Sequence, residues 1–301
     1  MASLRQIRRR IRSIQSTKQI MRAMQLVSGS KFKRAQGRLL QGRQMLQFLD
    51  EVLQRVLVAV PELKHPLSAR KEDAPSGLLI VTSDTGLAGS YNTNLMQLAE
   101  AELRREGPKR QQVSFIGKRG YRYFTKRGVT AKDAYIDLAG RPDIKKIDEI
   151  GSVLMQRFLS GEVSSVRLLS AKFVSPTVSR PTVKQWLPIE LTATSFKEIK
   201  SVKGKEKLER QINQPADEYI FEPSTQRVFE DLLPRWAIAT FRLALLEAFT
   251  SEHGARMIAM KNATDNAEEL LGSLTMQRNR IRQATITKEL SEIVGTAEAL
   301  K

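Results

Sequence analysis

From Leu4 onward, apolar residues recur in alternating steps of three and four. Leu4, Ile7, Ile11 and Ile14 open the series, and Lys18, Met21, Gln25, Ser28, Phe32, Ala35 and Leu39 continue the same heptad positions. A period of 3.5 residues is the seam of a helix that packs along another helix, here with polar or small residues at some inward sites. The apolar pattern resumes with Met45, Leu49, Val52 and Val56, and the first proline is Pro61. The spacing predicts one helix from about Ser3 to Val60, roughly 85 Å long at 1.5 Å per residue. Gly29, Gly37 and Gly42 each weaken it by about 1 kcal/mol against alanine without ending it.

The other end of the chain mirrors this pattern. Pro234 is the last proline, and Arg235–Lys301 reads as helix. Its seam runs through Ile238, Phe241, Leu245 and Ala248, then Met260, Ala263, Ala267, Leu270, Leu274, Gln277, Ile281 and Ala284. Such lengths far exceed the globular average of about 11–12 residues. Two long seamed helices at opposite ends of one chain bury their stripes by pairing with each other. A domain inserted at one end of the pair makes them antiparallel.

Between the two seams the period changes. Leu78–Ser83, Gln112–Gly117 and Val166–Val174 are short apolar runs with strand character, and Thr182–Leu191 is a fourth candidate. Helical patterns lie between them at Asn92–Arg105, Lys118–Arg127 and Ile144–Ser160. Strands alternating with helices predict a small α/β domain with a largely parallel sheet. Segments 61–76 and 196–224, rich in Pro, Lys and Glu, read as linkers or solvated loops. The expected organisation is therefore an N-terminal coiled-coil helix over 1–60, a central α/β domain over 61–224 and a C-terminal coiled-coil helix over 225–301.

Charge narrows the picture. The chain of 301 residues carries a formal +18, and its first acidic residue is Asp50. Twelve basic residues precede Asp50, among them Arg5, Arg8, Arg9, Arg10 and Arg12. That asymmetry calls for an anionic partner. A cleaved presequence is Arg-rich and acid-poor as well, but one would not carry a single seam unbroken into the mature chain. A nucleic-acid-binding helix is a second reading, although basic-region readers keep their basic stretch outside the zipper. Here the basic residues share the helix with the seam.

With no cysteine and two distant histidines, His65 and His253, the composition excludes disulfides, thiol nucleophiles, zinc fingers and iron–sulfur centres. Ser83–Ser90 (SDTGLAGS) is the one loop shaped like a phosphate cradle, a glycine turn between strand and helix. Its spacing fits neither the P-loop nor the dinucleotide fingerprint. A nucleotide-using α/β enzyme stays open on that loop alone. No metal, cofactor or catalytic residue is expected.

Several stretches resemble one family. Ser251–Asn266 (SEHGARMIAMKNATDN) and Ile281–Gly295 (IRQATITKELSEIVG) resemble the C-terminal helix of the gamma subunits of rotary F-type ATP synthases. Leu4–Gln36 resembles their N-terminal helix, and Ser83–Leu95, Lys172–Pro188 and Tyr219–Pro223 match in order between them. Departures are Thr85, Ala88 and Ser90, where the family commonly has Arg, Cys and Gly, Arg278 in place of an aromatic, and a basic stretch at Lys197–Arg210.

The resemblance implies a non-catalytic central-stalk rotor, an antiparallel coiled coil with a central Rossmann-like α/β domain. It implies alpha, beta and epsilon subunits and the membrane c-ring as partners, and neither cofactor nor nucleic acid. The coupling ion would be the proton, with a sodium-translocating relative as the alternative. By the same analogy Met24, Arg256, Arg282, Gln283 and Thr287 are torque or coupling contacts to beta. The basic first helix would meet acidic lever surfaces, and Ile286–Leu300 would turn inside an apolar sleeve. The expected place is the cytoplasmic face of a bacterial cell membrane, as a peripheral component.

Overall fold

The computed structural model describes residues 4–60, 63–69, 71, 74–107, 110–138, 143–191 and 221–299, apart from the side chains of 297–299. The basic stretch Lys197–Arg210 and the first two residues of Tyr219–Pro223 lie outside the described residues. Two long helices enclose the rest in sequence: α1 over Leu4–Ala59 and α5 over Thr225–Ala299. Between them come β1 (Ser76–Val81), α2 (Tyr91–Glu106), β2 (Gln111–Ile116), α3 (Lys118–Thr125), β3 (Ala131–Tyr135), α4 (Ile144–Ser160), β4 (Ser165–Phe173) and β5 (Ser179–Leu187). The chain divides into two compact units, one of residues 1–30 with 256–301 and one of residues 31–255.

The larger unit is built on a sheet of strand order β3-β2-β1-β4-β5. β1 pairs in parallel with β2 and β4, β2 in parallel with β3, and β5 closes the sheet antiparallel to β4. Because successive strand side chains point to opposite faces, β1 feeds two cores. Leu79 and Val81 join Leu154 and Phe158 of α4 and Leu53 of α1. Leu78 and Ile80 join Leu95 of α2 and Phe124 of α3. Gly117 turns β2 into α3 at φ +94°, and a Cβ there would run into the Thr82 carbonyl.

β3 goes beyond the four expected strands. Its sequence, AKDAY, has no β-branched residue and alternates exposed with half-buried positions, as an edge strand does. The expected fourth strand ends at Leu187 rather than Leu191.

In this unit α1 meets α5 along Leu39, Leu46, Leu49, Leu53 and Val56, all buried. The heptad therefore continues in phase past Gly42. Met45, expected in the seam, is 54% exposed, and Leu46 takes the inward place. Gly42 faces Leu243 and Leu246 of α5, where a Cβ would stand in contact with both at 3.4 Å. Arg43 pairs with Glu247 at 2.6 Å, and the Trp236 indole Nε1 donates to Asp50 at 2.5 Å. Partner numbers fall on α5 as they rise on α1, which makes the helices antiparallel.

Two expectations are corrected here. The last helix begins at Thr225, where the expected C-terminal segment begins, and carries Pro234 inside it, so helix does not wait for Arg235. A proline has no N–H for the carbonyl four residues earlier, here that of Glu230. His65 supplies the missing donor: its imidazole bonds to the Glu230 backbone. Its Nδ1 accepts from the Leu67 N–H at 3.0 Å, which assigns the ring proton to Nε2. Burial holds the His65 pKa below its ordinary value, keeping that neutral tautomer. The segment after α1 is likewise no plain linker, since Pro66–Ser68 is a 3-10 turn whose Leu67 is fully buried and whose Leu67 carbonyl accepts from the Ile189 N–H.

At the N-terminal edge of the sheet, Arg167 of β4 is buried between two carboxylates of α2, Glu102 at 2.9 Å and Glu106 at 2.6 Å. Ser76 and Gln111 also donate to Glu106, each at 2.8 Å. Removing one partner of a buried pair leaves an uncompensated charge, which costs about 3–5 kcal/mol. Arg167→Ala is expected to lower the stability of the larger unit by about that amount, measured by urea unfolding. A loss under about 1 kcal/mol would mean that solvent reaches the pair.

Candidate functional site

The smaller unit consists of the N-terminal half of α1 and the C-terminal half of α5. Ile7 and Ile11 are buried against Leu274, with Ile14, Leu271 and Ile281 packed around them. Further along, the Lys18 ammonium reaches Glu268 at 2.9 Å, and the Gly29 position abuts Met257 at 3.4 Å. The order is again antiparallel. The α5 seam runs through Met260, Thr264, Ala267, Leu271 and Leu274, so Leu270, expected inward, is 49% exposed and Leu271 replaces it. Thr264 is buried in the seam by donating its hydroxyl to the Met260 carbonyl.

The five expected contact residues fall into two groups. Met24 is half-buried on α1, and Arg256 is buried on α5 and engaged within the chain. Arg282, Gln283 and Thr287 lie together on an exposed stretch of α5, where the Thr287 hydroxyl donates to the Gln283 carbonyl at 3.0 Å. This stretch continues into Ile286, Leu290, Ile293 and Val294, all exposed and apolar, with Ile293 and Val294 three and four residues after Leu290. Ile20, Leu26 and Val27 of α1 and Met276 of α5 are further exposed apolar side chains of this unit. Arg5, Arg8, Arg9, Arg10 and Arg12 are all exposed around the first turns of α1.

The polar run Thr250–His253 was not singled out as a site and is fully inside, each residue at most 3% exposed. Its sequence signal is a hydrophilic run in mid-helix with no proline, which reads like a solvent face. Gly254 follows it, where Phe32 and the Pro176 carbonyl approach closely.

In the larger unit, the Ser83–Ser90 loop is held by its own side chains. The Asn92 amide oxygen accepts from the Ser83 N–H at 3.1 Å, the Ser83 hydroxyl reaches the Thr85 carbonyl, and Asp84 accepts from the Lys118 N–H at 2.8 Å. These bonds make it a strand-to-helix turn with a packed interior, Ser83 and Ala88 being buried. The cavity between the sheet and α4, beside Gln112, Ser114 and Arg157, is about 10 Å³, room for one water. Among the described residues no group of His, Asp and Glu is arranged to hold a metal ion, and no helix is long and apolar enough to cross a membrane.

Residues 3–300 match the family model described as ATP synthase. The chain is 39% identical over 301 residues to the ATP synthase gamma chain of Moorella thermoacetica and 38% to that of Desulforamulus reducens, with both chains covered completely in each case. The chain belongs to the ATP synthase gamma chain family. Its fold is that of chains in the Euglena gracilis mitochondrial ATP synthase (OSCP/F1/c-ring, rotational state 3), with a TM-score of 0.62 at 17% identity over 99% of this chain and 94% of that one. A chain of the Tetrahymena thermophila mitochondrial ATP synthase central stalk and c-ring matches at 0.57, with 20% identity over 81% and 99%. The family therefore accounts for the pairing of α1 with α5 and for the inserted mixed sheet.

Seam residues and exposed residues should respond differently to truncation. Ile11→Ala is expected to cost about 2–5 kcal/mol, read as faster amide exchange in residues 4–30 and 256–281. Arg282→Ala and Thr287→Ala, whose side chains are exposed, should stay within about 0.5 kcal/mol in the same measurement.

Proposed function

We propose that this chain is the central-stalk rotor subunit of a proton-translocating F-type ATP synthase and carries no catalytic residue of its own. It is a component of the ATP synthase complex, and the ATP-forming sites belong to the alpha and beta subunits around it. The observation that carries this reading is the antiparallel seam of α1 and α5, together with full-length relatedness to ATP synthase gamma chains. Epsilon and the c-ring are its other partners. In a bacterial cell the complex would hold it at the cytoplasmic face of the membrane, as a peripheral subunit.

The mechanism is mechanical coupling. A helix pair with different side chains on each side offers a different surface to each surrounding beta subunit. Rotation carries that difference round, and each site's nucleotide affinity follows the surface it meets, since a shift in equilibrium needs differential contact. The exposed arginines at the start of α1 suit acidic surfaces. Exposed ion pairs are worth only about 0–1 kcal/mol, so they form and break at each turn without trapping the rotor. The apolar face of Ile286, Leu290, Ile293 and Val294 suits a sleeve without charges.

Arg282, Gln283 and Thr287 are exposed and available for direct contact with beta, whereas Met24 and Arg256 sit within the packing and act by holding α1 and α5 in shape. Pull-down from the host is expected to recover alpha, beta and epsilon subunits with one copy of this chain. Recovery of the chain without them would overturn the assignment. In the assembled complex, Arg256→Ala and the pair Leu290→Asp/Ile293→Asp should lower ion pumping per ATP hydrolysed. Because Leu290 and Ile293 are 58% and 64% exposed, that pair should leave the melting of the isolated chain unchanged.

A further inference from the structure

Asp50 is the first acidic residue of the chain and lies within the α1–α5 contact of the larger unit, only 5% exposed. Its described bond is the one from the Trp236 indole. A buried carboxylate is ordinarily matched by a cation or by several donors. Two nearby cations are committed elsewhere: Arg43 pairs with Glu247, and Arg242 forks onto both oxygens of Asp148 at 2.9 and 2.7 Å. The remaining groups are no help. Glu51, next along α1, repels a negative Asp50, and His65, from the segment after α1, is turned to the Glu230 carbonyl.

We propose that Asp50 is a proton-operated clamp between α1 and α5. With a proton it is a neutral acid that accepts the indole N–H and sits in the seam at little cost. Without it, the same side chain is a buried negative charge that loosens the two helices at this level. Burial lifts the Asp50 pKa from 3.8 to about 6, helped by Glu51 and opposed by the indole bond. The folded chain therefore holds this proton up to about pH 6, whereas the unfolded chain releases it near 3.8. The closed contact is therefore favoured most at low pH, weakens as pH rises between 3.8 and about 6, and levels off above that. The clamp responds to the pH of the solution around the subunit and is independent of the torque contacts.

Trp186 is the only other tryptophan, so Trp186→Phe in the full-length chain leaves Trp236 as a single reporter. Its emission is expected to shift between pH 5 and 7.5 with a midpoint near 6, and the shift should vanish when Asp50→Asn is added. Asparagine keeps the carbonyl that accepts the indole N–H, so the variant should fold. Amide exchange in 46–56, corrected for the intrinsic effect of pH, should be slower at pH 5 than at pH 7.5 by roughly tenfold and independent of pH in Asp50→Asn. Emission that is flat over this range, or that titrates equally in Asp50→Asn, would overturn the proposal.

Discussion

The structure depends on one constraint: two helices from opposite ends of the chain must keep their apolar stripes facing each other while running in opposite directions. A stripe of period 3.5 stays in contact with its partner only if neither helix slips, and small residues mark where contact is closest. Gly42 opposite Leu243 and Leu246, and Gly29 opposite Met257, are such points. Glycine weakens a helix on its own, and at both positions a Cβ would meet its partner at 3.4 Å, an ordinary contact distance. Polar members of the seam are tolerated because each finds a bond nearby, Lys18 on Glu268 and Thr264 on the Met260 carbonyl.

The sheet follows from the same economy of faces. Only a strand buried on both sides supports apolar residues at odd and even positions alike, and β1 is such a strand, feeding a core on each side. Where an α/β sheet of this strand order opens a crevice for a ligand, this chain has a loop bonded to itself through Ser83, Asp84 and Asn92.

Much of this was legible in the letters. The steps of three and four predicted both long helices, and alternating apolar runs predicted four of the five strands. Periodicity failed where the local signal pointed to the wrong neighbour. Met45 and Leu270 are as apolar as Leu46 and Leu271, and only the pairing decides which faces inward. β3 was invisible because AKDAY is written for an edge, and Pro234 read as a boundary because its replacement donor is 169 positions away in sequence. The contact residues came from resemblance alone. Exposed polar side chains such as Arg282 and Gln283 leave no periodic trace, and the burial of Arg256 comes from packing that no local window contains.

The bond from His65 to Glu230 makes the start of α5 conditional. A helix normally completes its first turns with its own backbone, but here one hydrogen bond is supplied by a side chain from the segment between α1 and β1. Replacing His65 would take that donor from the Glu230 carbonyl in the first turns of α5, a loss of about 0.5–1.5 kcal/mol. What looks like tether is, at His65, a structural member.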